Sequence, residues 1–276
     1  MEEAFDRALA HMRRSGDPRE RWWILSQLLN ATVFGPTPAE HGIRRCSDLL
    51  ALGEGVRSLE MTAAAAIASL EAMRGNFATA RDLYGQSRSI GEELGLARWL
   101  AALPNLIGPI EMLADDLPAA ERELRWGYET LQSLGETATL STTAAMLSRA
   151  IVVQGRYEEA ERFTVVSEQS ASPDDLYSQV VWRGVRARTL AHRGDLDAAD
   201  FLAREGVAIA AETDFLNLRG ESLLDLAQVL AAADNPEESA GAVREALPLF
   251  EEKGCLVLAG RARALLDPVP GVELQS

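Results

Sequence analysis

A repeat of about forty residues constrains this chain more than any other feature of its sequence. Similar short segments recur around five marker positions, residues 75, 115, 155, 194 and 234, and a further step back of forty reaches Gly35. Small side chains keep the same register, five and twelve residues after most markers. A fixed period of this length indicates a stack of similar units rather than one large core.

Each unit of the repeat has the pattern of two helices. Before a marker, apolar residues are spaced three and four apart, as at Leu223, Leu226 and Leu230. After it comes an amphipathic stretch, for example Ala80, Leu83, Tyr84 and Ser87. The small residues fall where paired helices must approach closely, because a large side chain there would separate the backbones. The sequence therefore predicts an all-α fold.

The expected helix ends carry recognisable start and stop signals. A capping residue stands before a proline at four expected starts, Asp17-Pro18, Thr37-Pro38, Ser172-Pro173 and Asn235-Pro236. Glycines at 16, 55, 95, 135 and 254 are typical stops. Pro104 and Pro109 fall inside the first helix of the third unit, where each removes a helical hydrogen bond, so we expect a bent or broken helix over 98–113.

These motifs resemble the tetratricopeptide (TPR) repeat family, whose inter-helix turn reads Gly-x-(Tyr/Phe/Leu)-x-x-Ala. The turn occurs here as Gly75-Asn76-Phe77-Ala78-Thr79-Ala80, and again from Gly155 and Gly194. The period departs from the family's usual length of about 34 residues. It is similar to that of the C-terminal arrays of bacterial signalling ATPase and cyclase proteins and of maltose-activator-like regulators. The resemblance implies a right-handed superhelical solenoid of about six antiparallel helix pairs with an extra helix at each end.

On this interpretation the chain is an array with a helix at each end. Residues 1–16 form a leading helix that matches a second helix without its first-helix partner, either as a cap or because the chain was cut from a longer protein. Residues 255–266 form a closing helix, and 267–276 a flexible tail. The six repeats between them span 17–56, 57–95, 96–135, 136–175, 176–214 and 215–254.

Charge and cysteine usage exclude several classes of partner. The chain has 27 Lys and Arg against 42 Asp and Glu, a net charge of −15, which repels phosphate backbones and argues against direct nucleic-acid binding. No apolar run reaches the length of about 18 residues that a membrane span needs. Two cysteines, Cys46 and Cys255, cannot form a disulfide framework, so we expect a cytoplasmic protein.

The sequence lacks the spacings that catalytic and metal sites need. His11, His41 and His192 are far apart, without a zinc-binding pattern, and no nucleophile elbow or glycine-rich phosphate loop is present. Lys253 is the single lysine of the chain. We therefore expect no enzymatic activity, no metal and no cofactor.

The resemblance also implies a concave groove lined by the first helices. The position six before the marker usually faces it, and here that position holds Arg149, Arg188 and Gln228, with Asn105 at another groove position. Arginines on neighbouring repeats could hold one carboxylate or phosphate. The alternative is that they pair with the chain's own acids.

A second candidate surface is the most basic stretch of the chain. Arg183 and Arg186 lie within it, on the first helix of the fifth repeat. They could dock an acidic partner domain, or they could balance nearby Asp and Glu side chains.

The function expected from these observations is a non-catalytic protein-interaction scaffold. We expect it to be the regulatory or sensor region of a bacterial signalling or transcription-regulatory protein, with another protein or a neighbouring domain as its partner. One alternative is a sensor for a small anionic or sugar-like ligand. Another is self-association, as a homodimer formed through the terminal helices.

Overall fold

A computed structural model describes residues 2–14, 17–53 and 55–267, and within these ranges the regular structure is entirely helical. The helices are α1 (Glu2–Arg14), α2 (Pro18–Phe34), α3 (Ala39–Leu52), α4 (Arg57–Met73), α5 (Phe77–Glu93), α6 (Ala97–Ala102), α7 (Pro104–Leu113), α8 (Leu117–Ser133), α9 (Ala138–Val152), α10 (Tyr157–Ser170), α11 (Leu176–His192), α12 (Leu196–Ala211), α13 (Leu216–Ala232), α14 (Pro236–Lys253) and α15 (Leu256–Leu266). The predicted all-α fold is confirmed. The expected stop at Gly16 and the tail beyond Asp267 lie outside the described residues. None of the helices in the described ranges combines the length and apolar character needed to cross a bilayer.

The chain divides into two compact units, residues 1–135 and 136–276, each of which is a series of helix pairs. In the second unit the pairs are α9 with α10, α11 with α12 and α13 with α14, followed by α15. The first helices α9, α11 and α13 contact one another in succession. Each second helix packs against the first helix of its own pair and against that of the next pair. The first helices therefore form one continuous layer of this unit.

The repeat markers are the residues at which the first helices end. Gly75, Gly155 and Gly194 adopt left-handed backbone angles with φ of 88°, 75° and 84°. Asp115 and Asp234 occupy the same position with φ of 63° and 56°. Only glycine adopts this region without steric cost, and aspartate is among the side chains that tolerate it best. The repeat period is thus a period of helix C-terminal turns.

The small residues of the repeat lie where paired helices touch, as the sequence predicts. Five residues after the markers, Ala80, Ala120, Ala160 and Ala199 are completely buried. Twelve residues after the marker, the Ser87 hydroxyl donates to the carbonyl of Met61 at 2.7 Å. A Cβ added at Gly127, the equivalent position, would lie 2.9 Å from the carbonyl oxygen of Ala101. These positions therefore set the separation of the two helices in a pair.

The start signals are confirmed at two of the four predicted positions. The side chains of Asp17 and Asn235 accept from the backbone N–H groups of Arg19 and Glu238 at the starts of α2 and α14. At Thr37 the prediction is wrong, because α3 begins after Pro38 and the Thr37 hydroxyl accepts from Arg45.

The prediction is also wrong at Ser172, because Asp175 caps α11 in its place. The Asp175 carboxylate accepts from the Ser178 backbone N–H at 3.2 Å and from the Ser141 hydroxyl at 2.9 Å. The contact with Ser141, on the preceding first helix, favours the later start.

The first helix of the third pair is interrupted where two prolines predict a break. The helix α6 ends at Ala102, and α7 begins at Pro104 with Leu103 between them. Pro109 lies inside α7. The predicted break in 98–113 is confirmed, because Pro104 has no N–H to continue the hydrogen bonding of α6.

The last turn of α14 buries a charged side chain. Lys253 is fully buried there, and Gly254 follows it in the left-handed conformation that ends the helix. Cys255, the next residue, is also buried and is a free thiol. The only lysine of the chain is thus part of its interior.

Candidate functional site

Three successive first helices bring charged side chains together in the second unit. Arg149 of α9 and Asp225 of α13 form an ion pair in which the arginine Nη2 donates to the aspartate Oδ2 at 2.7 Å. The guanidinium of Arg188, on α11 between them, lies 3.6 Å from the other oxygen of Asp225. All three side chains are at least 85% buried, with exposed fractions of 11%, 14% and 7%. We call Arg149, Arg188 and Asp225 the charge cluster.

A glycine on the intervening helix gives Asp225 the space that it occupies. A Cβ added at Gly184 of α11 would overlap the Asp225 carboxylate, with 2.9 Å to its Cγ. Any side chain at this position would push Asp225 away from the arginines. The pairing of α9 with α13 therefore depends on Gly184 having no side chain.

Glu221, one turn before Asp225 on α13, is the second acid near Arg149. One of its oxygens lies 3.4 Å from the arginine Nη1. Burial raises the pKa of Glu221, and the favourable charge of Arg149 opposes this only in part. Burial also acts to lower the pKa of Arg149, but the carboxylates of Asp225 and Glu221 outweigh it, so that pKa is raised. Arg149 is therefore firmly charged.

The buried charge of Arg188 is balanced less fully by nearby carboxylates than the charge of Arg149. Burial lowers the pKa of Arg188, and the attraction of Asp225 does not cancel that effect. The Nε atom of Arg149 is also buried without a hydrogen-bond partner among the described residues. Arg149 thus has two nearby carboxylates, Asp225 and Glu221, whereas the Arg188 guanidinium lies 3.6 Å from Asp225 and is the less closely paired of the two.

The structure brings together two of the four residues predicted to line the groove. Arg149 and Arg188 meet at Asp225, so both contact an acid of the chain, which is the alternative stated above. Gln228 is exposed on α13, one turn beyond Asp225. Asn105 lies on α7 in the first unit, where its Oδ1 is buried without a partner among the described residues.

The two arginines of the basic stretch are also engaged by neighbouring side chains. Arg183 and Arg186 lie over the ring of the buried Trp182, at 4.1 and 4.4 Å from its centroid. Arg183 donates to Glu205 at 2.7 Å, and Arg186 donates to Glu168 at 2.8 Å. This stretch therefore links α11 to α10 and α12, with its charges balanced by acids of the chain.

Asp225 is the member of the charge cluster that the sequence analysis did not predict. It lies between Leu223 and Leu226 on a helix face interpreted as apolar, and its partner on α9 is 76 residues away. Two signals were available in the sequence, an acid within an apolar face and a glycine, Gly184, in the middle of a helix.

Groups that suit metal binding do not converge in the described part of the chain. No set of three His, Cys, Asp or Glu side chains there has metal-site geometry. His11 lies 2.8 Å from Glu20, and His192 stacks on Tyr157 with 3.8 Å between ring centroids. These histidines take part in packing and pairing.

The chain resembles known proteins in its structure, and no match was found from its sequence. No family model matches the chain, and no curated protein matches it in sequence. A Rap protein complexed with Competence and Sporulation Factor has a TM-score of 0.62 at 13% identity, covering 91% of this chain and 68% of that one. NprR in complex with its cognate peptide NprX has a TM-score of 0.62 at 12% identity, covering 98% and 80%.

A third solved structure is also similar to this chain. BtubC (BKLC) from P. vanneervenii has a TM-score of 0.53 at 15% identity, covering 86% of this chain and 93% of that one. Identities this low show the fold alone. These neighbours are TPR-like repeat proteins, and the chain therefore has the helix-pair fold of TPR-like repeat proteins.

Proposed function

We propose that this chain is a non-catalytic scaffold that binds a peptide segment of another protein, or of a neighbouring domain, on the layer formed by α9, α11 and α13. The observation that carries this proposal is the charge cluster, which joins three successive first helices. We place the scaffold in the regulatory part of a bacterial signalling or transcription-regulatory protein of the cytoplasm.

The chemistry of this layer suits a segment that carries an acidic group. The Arg188 guanidinium lies 3.6 Å from the carboxylate of Asp225, a looser contact than the 2.7 Å pair of Arg149, so a ligand carboxylate would find this guanidinium already in place. Because these donors are largely buried, little side-chain entropy is lost when they bind. The layer therefore offers guanidinium donors held in fixed positions, in a chain whose net charge is −15.

Gln228 extends this site towards solvent. It is exposed, and its amide can both donate to and accept from the backbone of an extended segment. It stands one turn from Asp225 on the same helix. A peptide passing over α13 would thus meet a neutral polar contact beside the arginines.

The described complexes of two similar structures favour a bound factor, in one case a peptide, as the ligand class. The Rap protein is described in complex with Competence and Sporulation Factor, and NprR in complex with its cognate peptide. Their helix-pair fold covers most of this chain. A long layer of first helices suits an extended ligand better than a closed pocket does.

Selection from a random peptide display library tests the proposal. We expect peptides enriched on the wild-type chain to bind at least about tenfold more weakly to Gln228→Glu, since the added carboxylate repels the acidic group of the ligand. The matched control is Gln169→Glu, at an exposed glutamine of the second helix α10, which should bind like the wild type. Failure to enrich any peptide, or equal losses in the two variants, would refute the proposal.

A further inference from the structure

A cavity that opens to solvent lies between α2, α3 and α4 in the first unit. Its volume is about 310 Å³. The buried side chains of Leu25 and Leu59 form its floor, together with Gly53, which follows α3. A Cβ added at Gly53 would overlap the side chain of Leu59. The floor of the cavity is therefore apolar and tightly packed.

The walls of this cavity expose large apolar side chains. Trp22 of α2, Leu52 at the end of α3 and Val56 before α4 line it, with exposed fractions of 37%, 37% and 39%. Exposed apolar side chains gathered round a concavity mark ligand-binding sites. A cavity of this volume suits a small molecule better than an extended peptide.

The next repeat shows why this space is open. At the end of α5, Trp99 and Leu100 of the following helix lie 3.2 and 2.8 Å from a Cβ added at Gly91. Gly91 lies forty residues after Ala51, which lines the cavity, and Trp99 lies forty residues after Leu59. The smaller Leu59 therefore leaves open at the end of α3 a space that tryptophan fills one repeat later.

Arg21 is the charged residue among the described residues that line the cavity. Its guanidinium makes no hydrogen bond or ion pair with any residue in the described ranges. By contrast, Arg57 at the start of α4 donates to Glu93 at 2.7 Å. An arginine with all its donors available, beside an apolar surface, can recognise a carboxylate through two parallel hydrogen bonds.

The lining also indicates the shape of the ligand. The partly exposed ring of Trp22 offers a face or an edge to another aromatic ring. We propose that the cavity binds a small aromatic carboxylate, with its ring against Trp22 and its carboxylate on Arg21. None of these residues belongs to the charge cluster, so this site does not depend on the proposed peptide site.

Isothermal titration calorimetry of the full chain with 2-naphthoate tests this proposal, and 2-naphthamide is the matched ligand with the same rings and no charge. We expect 2-naphthoate to bind at least about tenfold more tightly, because a charge-assisted pair is stronger than a neutral hydrogen bond. In Arg21→Gln, which alters an exposed side chain, the two ligands should bind equally weakly. The matched control Arg19→Gln, at an exposed arginine of the same turn, should bind like the wild type.

A second pair of variants tests the location of the site. Leu52→Glu places a carboxylate in the cavity wall and should abolish binding of 2-naphthoate. Leu94→Glu, at a leucine that is 40% exposed at the end of α5, should leave binding unchanged. The proposal would be overturned by an absence of binding at millimolar 2-naphthoate or by equal wild-type affinities for the two ligands. An equal loss in Arg19→Gln, or full binding by Leu52→Glu, would also overturn it.

Discussion

The ion pair of Arg149 and Asp225 joins two helices that are not neighbours in the repeat order. Their side chains meet at 2.7 Å although 76 residues separate them, and the contact passes over Gly184 of the helix between. In repeat proteins most stabilising contacts lie within a repeat or between adjacent repeats. This pair instead couples the first helices of three successive pairs directly.

Removing Asp225 should destabilise the fold substantially. We expect Asp225→Ala to lower the free energy of unfolding by about 3 kcal/mol, because Arg149 would remain buried without its closest carboxylate. Urea denaturation measures this, and a double-mutant cycle with Arg149→Met should show strong coupling. The control Arg204→Ala breaks exposed pairs with Asp200 and Glu238 and should cost less than about 1 kcal/mol. Additive effects of the two cluster substitutions would contradict the assigned pairing.

A methyl group at Gly184 should be costly although it favours the helix. Gly184→Ala would force Asp225 to move, and we expect a loss of about 2 kcal/mol of stability. At Gly241 on α14, where no described atom lies within 4 Å of an added Cβ, the same substitution should instead stabilise by up to about 1 kcal/mol. In a chain that also carries Asp225→Ala, the loss of stability caused by Gly184→Ala should largely vanish. If that loss is unchanged, a group other than Asp225 limits the space at residue 184.

Replacing Glu221 should have a pH-dependent effect of predictable sign. Burial raises the pKa of Glu221, so the folded state favours the protonated carboxyl, and that stabilisation is lost as the pH rises through the folded-state pKa. Glu221→Gln keeps a neutral group at every pH. We expect thermal melts to show the variant at least as stable as the wild type near neutral pH, with the difference shrinking as the pH falls. A large loss at neutral pH, unlike the exposed control Glu252→Gln, would contradict this.

The polar group of Asn105 should contribute nothing to stability in the absence of a ligand. Its Oδ1 is buried without a partner among the described residues, so we expect Asn105→Leu to leave the free energy of unfolding unchanged or to raise it by about 1 kcal/mol. Asn235→Leu removes a helix cap and should lower it by about 1 kcal/mol. If both variants lose stability equally in chemical denaturation, Asn105 has a structural role.

The two thiols should be unreactive in the folded chain. Burial raises the pKa of Cys255 to about 12, and Cys46 is also fully buried. We expect a disulfide reagent such as Ellman's to label them only after local or global opening, at a rate that rises with urea concentration. Cys255→Ala and Cys46→Ala variants would report separately on residues 1–135 and 136–276. Rapid labelling of either variant in native buffer would disagree with this burial.

The helix-pair architecture could be predicted because its repeat period comes from residues that the backbone geometry requires at fixed positions. The residues at 75, 155 and 194 are glycines because the chain turns there with a positive φ, and Ala80 and Ser87 are small because helices touch there. Pro104 acts through its own missing N–H, so its effect follows from its position. Such requirements act on single positions, so they can be recognised from one sequence.

The helix starts and the charge cluster were less predictable because they depend on distant partners. Ser172 and Asp175 both suit a cap, and the hydroxyl of Ser141, more than thirty residues earlier, favours Asp175. Likewise, nothing local to Arg149 indicates that it pairs with Asp225 rather than with a closer acid. The choice among the chain's 42 acidic residues is made by tertiary packing.

The burial of Lys253 determines how this chain can be labelled and modified. It is the single lysine, and its ammonium group lies inside the last turn of α14, so the described surface presents no lysine amine. Amine-reactive dyes, crosslinkers and immobilisation resins will therefore find no lysine to attack on the folded surface. Acetylation, which alters the charge of many proteins at this side chain, has no accessible lysine target there.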